Sequence, residues 1–416
     1  MQSKRLTLFI IVGMIVGIAV GFVCHEFYPQ SSAGFTSAAA LLPTIFLRLI
    51  KMIIAPLVFS TLVAGIVHMG DMSSIGRVGI KALGWFFSAS LLSLTLGLLL
   101  VNLFQPGHTL QLALPAAGAH SEIATSDLSF LHFIEHTIPI SIVDAMARNE
   151  ILQIVVFALF FGCGAAALGE RSKPLLEFID VVAQIMLKVT GYVMAFAPLA
   201  VFGALASTVE KEGLGIIVTY GVFMAEFYFS ILLLWVVLIA LGGVFVGRRI
   251  LALIRGIREP LLLAFSTASS EAAYPKTLEQ LERFGCSNKV SSFILPLGYS
   301  FNLDGSMMYC TFAVLFIAQA YGIELSAGQQ IMMLAILMLT SKGMAGVPRA
   351  SLVVIAATLS QFDIPEAGLL LLLGIDHFLD MGRSATNVIG NSVATAVVAN
   401  WEGELKPEEL SAPAAG

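Results

Sequence analysis

The chain has 416 residues, of which 58% are hydrophobic and only 12% charged, with a formal net charge of -5. Soluble domains carry about 25% charged residues, so a soluble globular enzyme is excluded, no nucleic-acid partner is suggested, and a polytopic membrane protein remains. The small net charge says little about partners, because membrane topology follows Lys and Arg rather than the net sum.

The opening MQSKRLTLFIIVG has the charged and apolar regions of a signal peptide. It runs on to Val23 without a small-residue cleavage site, so it reads as a first transmembrane helix. Apolar runs of about 20 residues mark spans. They fall at about 6–24, 41–67, 78–104, 151–169, 175–207 and 214–247. Lys4 and Arg5 precede the first span, Arg77 and Lys81 follow the second, Arg171 and Lys173 the fourth, and Arg248, Arg249, Arg255 and Arg258 the sixth. The intervening connections 25–34 and 105–147 carry no Lys or Arg. The positive-inside rule then places the N-terminus in the cytoplasm and 105–147 outside. That segment, with Pro106, Pro115 and Gly118, reads as a mobile loop. Its His108, His120, His132 and His136 lack tight ligand spacing and read as solvated. Arg48, Lys51, Lys188 and Glu226, inside spans, read as structural, since long side chains snorkel. Cys24, Cys163, Cys286 and Cys310 form no CxxC, so neither a disulfide nor a metal site is expected.

After residue 250 the apolar runs shorten. Leu261–Phe265 leads into STASSEAAYP and the charged stretch 276–289. A five-residue apolar run cannot span a bilayer, but a helical hairpin that enters and leaves on one side can be accommodated where protein or water covers its tip. Residues 290–320 are long enough to span but are interrupted by NLDGS at 302–306, which predicts an unwound break. Ile331–Leu339, then SKGMAGVP, then Ser351–Leu359 read as a second hairpin. The eighth span, about 366–400, contains DHFLDMGRSATNVIGN. On a helix its Asp376, Asp380, Arg383, Ser384, Asn387 and Asn391 share an arc of about 100°. An ion pair between Asp380 and Arg383 would account for two of these six residues. A charge at mid-bilayer costs about 2.5–3.5 kcal/mol even on the lenient scale, so the whole stripe reads as a polar wall for a charged solute. Hairpin, broken helix, hairpin and polar helix in that order suggest an inverted repeat around a mid-membrane site.

STASSE, NLDGS, AGVP and DMGRSATN, in this order, make the chain resemble the dicarboxylate/amino acid:cation symporters, which include bacterial proton–glutamate symporters and animal excitatory amino acid transporters. The resemblance covers essentially the whole chain, most specifically 260–400. It implies an all-α membrane protein with eight transmembrane helices and two re-entrant hairpins. It also implies a homotrimer of elevators in a bacterial inner membrane, with both termini cytoplasmic. Residues 1–249 would be mainly scaffold, with the third and sixth helices as alternative members of the transport domain. Residues 250–401 would form that domain, and 402–416 a disordered acidic tail. Carried over by motif, Asp380 would bind a substrate amino group and Arg383 a side-chain carboxylate, assisted by Ser384, Asn387 and Ser306. Backbone around Ser269, Ser270 and Val347 would hold the second carboxylate, and Gly346 would let the second tip close. The bare chemistry agrees, since Arg presents a planar fork for carboxylates and helix N-termini favour anions.

Coupling would involve Glu271, Asn302, Asp304, Asn387 and Asn391. Sodium-coupled members carry a carboxylate where this chain has Asn391, and animal members carry a Glu where it has Cys310. Glu271 replaces a third serine, as in proton-coupled bacterial relatives, and places a carboxylate where it can carry a proton; the alternative is that it caps the returning helix. The expected function is therefore symport of glutamate or aspartate with protons, with no cofactor and no enzymatic activity. C4-dicarboxylate transport, sodium coupling, anion conductance and an intramembrane aspartyl protease built on Asp304 and Asp380 are the alternatives. Arg349, beside the AGVP tip, would favour dicarboxylates.

Overall fold

In hydrocarbon every backbone polar group must be satisfied inside its own segment, which leaves helices as the natural outcome for runs this apolar. The computed structural model describes residues 2–28, 32–69, 72–109, 137–213, 220–341 and 350–406. Helices dominate them, and the only β feature among these residues is an isolated bridge between Cys286 and Leu405. The main helices are α1 (Gln2–Phe27), α2 (Ser32–Met69), α3 (Met72–Phe104), α4 (Ile151–Leu168), α5 (Lys173–Met194), α6 (Ala197–Glu212), α7 (Gly221–Val246), α8 (Ile250–Gly256), α9 (Arg258–Thr267), α10 (Ser270–Phe284), α11 (Asn288–Phe301), α12 (Asp304–Ala320), α13 (Ala327–Thr340), α14 (Ala350–Gln361) and α15 (Asp376–Trp401). Six stretches of the described residues are long and apolar enough to cross a membrane: Leu8–Phe27, Ser37–Val67, Gly76–His108, Ile151–Met194, Gly221–Gly256 and Asn288–Ala320.

The expected span at 175–207 is two helices. α5 ends at Met194 and α6 begins at Ala197, with Pro198 in its first turn. Proline lacks an N–H and is at home there, so it starts a new helix rather than continuing the old one. The loop expected at 105–147 forms short helices at its two ends, Pro106–Thr109 and Ile142–Arg148; residues 110–136, with His120, His132 and His136, lie outside the described residues. Arg48, Lys51 and Lys188 are exposed on the outside of their helices, in keeping with their structural reading.

α1, α2, α4, α5 and α6 pack on one another. α3, α7, α9, α10, α11 and α12 surround α15, which is why so polar a helix is almost wholly buried. The first hairpin, α9 and α10, also lies against α1, α2 and α6, whereas α13 and α14 pack on α3, α12 and each other.

The end of α15 differs from the expected disordered tail. Glu402 pairs with Arg77 and Lys81 at the start of α3, Glu404 pairs with Lys289, and Lys406 donates its N–H to the Gly285 carbonyl at 2.9 Å. Residues 402–406 are thus a strap across the base of the first hairpin. The acidic residues that suggested a solvated tail are neutralised by basic residues far away in sequence. Residues 407–416 lie outside the described residues.

Candidate functional site

The first hairpin turns in two residues. Ala268 takes a left-handed conformation (φ 49°) and returns its N–H to the Ala264 carbonyl. Ser269 is extended, and its Oγ accepts from the Ala272 N–H at 3.2 Å. Ser269 therefore caps α10, so the capping alternative for Glu271 falls to its neighbour. Glu271 sits half-buried in the first turn of α10, where the helix dipole favours negative charge. Tyr299 of α11 donates its hydroxyl to the Ser270 carbonyl at 3.0 Å and so holds the tip.

The NLDGS break is present where it was expected. α11 ends at Phe301, Asn302 and Leu303 leave helical geometry, and α12 resumes at Asp304. The Gly305 N–H, freed by the break, donates to Asn387 Oδ1 of α15 at 2.9 Å. Asn302 Nδ2 donates to Asp304 Oδ2 at 3.1 Å and to Asn391 Oδ1 at 3.2 Å. Ser93 of α3 reaches Asp304 Oδ1 at 3.3 Å. A Cβ on Gly390 would meet Asp304 Oδ2 at 1.9 Å, so glycine is required for the carboxylate to lie against α15. Asn302, Asp304 and Asn391 are all buried, and Asn302 Oδ1 and Asn391 Nδ2 have no partner among the described residues. Oxygens of an aspartate, two amides and a hydroxyl make a donor set for a hard cation such as sodium.

About one turn along α15 from Asn387, Arg383 is 2% exposed. Its Nη2 pairs with Asp376 Oδ1 and with Asp380 Oδ1, each at 3.1 Å. Its guanidinium lies over the Tyr309 ring, 4.0 Å from the centroid. Tyr309 also donates its hydroxyl to Asp376 Oδ1 at 3.1 Å. The two carboxylates differ. The Asp376 side chain is 6% exposed and doubly hydrogen-bonded, whereas that of Asp380 is 39% exposed. Arg383 Nε and Nη1 are buried without a partner among the described residues, which leaves part of the fork for an anion.

The structure therefore brings together Ser306, Asn302, Asp304, Asn387 and Asn391 at the break, with Asp380, Arg383 and Ser384 along the same helix. Ser269, Ser270 and Glu271 stand at the tip of a hairpin packed on that helix. Gly346, Val347 and Arg349 lie outside the described residues. Sequence reasoning missed Tyr309 and Ser93. The only signal for them was a tyrosine three residues after the broken motif and two serines, Ser90 and Ser93, three apart in an apolar span. Asp376 was placed on the stripe without a role; it orients the arginine. Asp304 and Asp380 have different partners, Ser93 and Asn302 for one and Arg383 for the other, which argues against a shared-proton protease dyad.

The family model described as the sodium:dicarboxylate symporter family matches residues 6–401. A C4-dicarboxylate transport protein of Rhizobium johnstonii is 42% identical over 412 residues, covering 97% of this chain and 91% of the relative. A proton/sodium-glutamate symport protein of Bacillus caldotenax is 40% identical, covering 96% and 95%. A C4-dicarboxylate transport protein of Bacillus subtilis is 39% identical, covering 97% and 94%.

Proposed function

Because the chain belongs to the sodium:dicarboxylate symporter family, we propose that it is a secondary active symporter that imports glutamate or aspartate with protons. The observation that carries this reading is the arrangement at Arg383. Two carboxylates against one guanidinium leave a net negative charge, and the more open of the two is Asp380. A plain dicarboxylate would bring two negative charges to that site. An acidic amino acid brings an ammonium for Asp380 as well as a carboxylate for the free edge of Arg383.

A second reading, a C4-dicarboxylate substrate, is favoured by the names of relatives about 40% identical. Proton coupling is supported by Glu271 at the hairpin tip and by Asn391, whose amide meets Asn302 where sodium-coupled relatives carry a carboxylate. The oxygen cluster around Asp304 keeps sodium as the alternative ion. In this reading α3 and α7 travel with the hairpins, α11, α12 and α15 as the moving body. Their close packing on that core supports it: Tyr228 donates to the Phe378 carbonyl, and Trp235 Nε1 donates to Thr386 Oγ1 at 2.7 Å. The body moves against α1, α2 and α4–α6 in each protomer of a homotrimer, in a bacterial inner membrane with both termini cytoplasmic.

Uptake of radiolabelled aspartate and succinate into proteoliposomes, with proton and sodium gradients imposed separately, tests the reading. Aspartate accumulation driven by protons without sodium is expected. Succinate without aspartate uptake selects the second reading, and uptake of neither overturns both.

A further inference from the structure

Directly after α7 the chain passes through a tight 3-10 turn, Gly247–Arg249, into α8 and then α9. Arg248, Arg249, Arg255 and Arg258 fall in this short stretch. Arg248 lies in the 3-10 turn, Leu251 and Arg255 stand four apart in α8, and Arg258 opens α9. All four are exposed, Leu251 at 56%, while Ile250, Leu253 and Ile257 on the other side are buried. Arg249 is the exception. Its guanidinium lies 5.1 Å from the centroid of the Phe284 ring, and its Nη2 donates to the Phe284 carbonyl at 3.3 Å, fixing the segment to the hairpin base.

Two observations say what covers the outer face. The last turns of α7 expose Leu241, Val244 and Phe245, with Val244 76% exposed, so a lipid-type surface gives way within a turn to arginine. Basic residues packed around the base of the first hairpin are instead neutralised: Arg77 and Lys81 by Glu402, Lys276 by Glu259 and Glu279, Arg283 by Glu279, Lys289 by Glu404. Arg248, Arg255 and Arg258 make no ion pair with a described residue. One large apolar side chain among unpaired cations, at the edge of an apolar belt, is the pattern of a surface seated at a headgroup layer.

We propose that the face formed by Arg248, Leu251, Arg255 and Arg258 binds anionic phospholipid headgroups of the surrounding membrane. The guanidinium forks meet phosphate oxygens, and Leu251 enters the acyl boundary. α8 links α7 to the first hairpin, so the bound lipid anchors that joint. The inference rests on the membrane reading and not on the transported solute.

The test is native mass spectrometry of protein released from nanodiscs of mixed phosphatidylcholine and phosphatidylglycerol. Wild type should retain phosphatidylglycerol in preference to phosphatidylcholine. Each arginine near an anionic surface contributes about 1 kcal/mol, or about fivefold. Arg248→Gln, Arg255→Gln and Arg258→Gln together should lower the preference by about a hundredfold, while the three Lys replacements should largely keep it. Should the triple variant lose its native elution profile, the single variants are read, each at about fivefold. Equal retention of the two lipids by wild type, or undiminished preference in folded Gln variants, overturns the proposal. So does displacement of the lipid by soluble glycerol phosphate at equal concentration, which would mark a simple anion site.

Discussion

Gly305 and Arg383 meet backbone to backbone: a Cβ on the glycine would lie 2.5 Å from the arginine carbonyl oxygen and 2.8 Å from its Cα. This approach lets the broken helix hand its free N–H to Asn387 and seats Tyr309 under the guanidinium. Gly305→Ala must push α12 off α15. Overpacking of this kind costs about 1–3 kcal/mol, so a lowered melting temperature in detergent is expected together with weakened substrate binding. An unchanged melting profile and unchanged binding would show that the two helices adjust without loss.

Arg383 is the cation to which both carboxylates of the stripe turn. Arg383→Ala removes the fork but also leaves Asp376 buried without its ion partner, so it destabilises as well as abolishing binding. Arg383→Lys is the cleaner test. It keeps the charge near Asp376 and loses the planar double donor. Truncating one partner of a buried charge pair costs about 2–5 kcal/mol. A folded Lys variant should therefore bind acidic substrates at least tenfold more weakly; wild-type affinity would remove Arg383 from the site.

Asp380 should separate the two substrate classes. It lies 3.1 Å from Arg383, and its side chain is 39% exposed, in contrast to buried Asp376. Asp380→Ser deletes the acceptor for an ammonium, and a hydrogen bond to a charged group is worth about 1.5–3 kcal/mol. Aspartate uptake should fall by about tenfold or more, and succinate uptake less or not at all. Equal losses for both would assign Asp380 to holding Arg383 rather than to the amino group.

How much of this was readable in the sequence depends on the range of the interaction. The polar stripe of α15, the break at 302–303, the first hairpin and the two apolar arms α13 and α14 follow from local pattern, because a polar residue inside an apolar run has few physical outcomes. The left-handed Ala268 was not readable, since alanine carries no preference for that conformation. Ser93 facing Asp304 and Tyr309 under Arg383 depend on packing between helices, which single-helix periodicity does not report. The start of α6 did leave a local trace, Pro198, but it was hidden inside a continuous apolar run.

Glu402 ties the end of α15 to the start of α3 through Arg77 at 2.9 Å and through Lys81. Burial alone would raise its carboxyl, but hydrogen bonds from Arg77 and Lys81 outweigh this and hold it below the usual carboxylate range. A folded-state pKa below the unfolded value means that the contribution is complete above the unfolded pKa and is lost as pH falls through the folded one. Glu402→Gln should thus destabilise at neutral pH by about 1 kcal/mol, a charged hydrogen bond discounted for the exposure of Arg77. The difference from wild type should vanish in strong acid. A constant difference across that range would mean that the strap acts through packing alone.

Coupling is the last point to test, and Glu271 is the residue to change. It stands half-buried in the first turn of α10, at a tip held by Tyr299 and capped by Ser269. Because Ser269 supplies the cap, the hairpin does not need a carboxylate at 271 to satisfy the start of α10. A glutamate here, on a hairpin packed against α15, adds charge near a site that must receive an anion. In the proposed reading it takes up a proton with the substrate and releases it on the other side. Glu271→Gln mimics the protonated form with little change of shape. It should lose accumulation driven by an inward proton gradient, yet retain exchange of internal for external substrate, because exchange requires no net proton release. Counterflow and gradient-driven uptake, measured in the same proteoliposomes, separate the two activities. Normal proton-driven accumulation by the variant, or strict sodium dependence in wild type, would move coupling away from Glu271 and toward the oxygen cluster at Asp304.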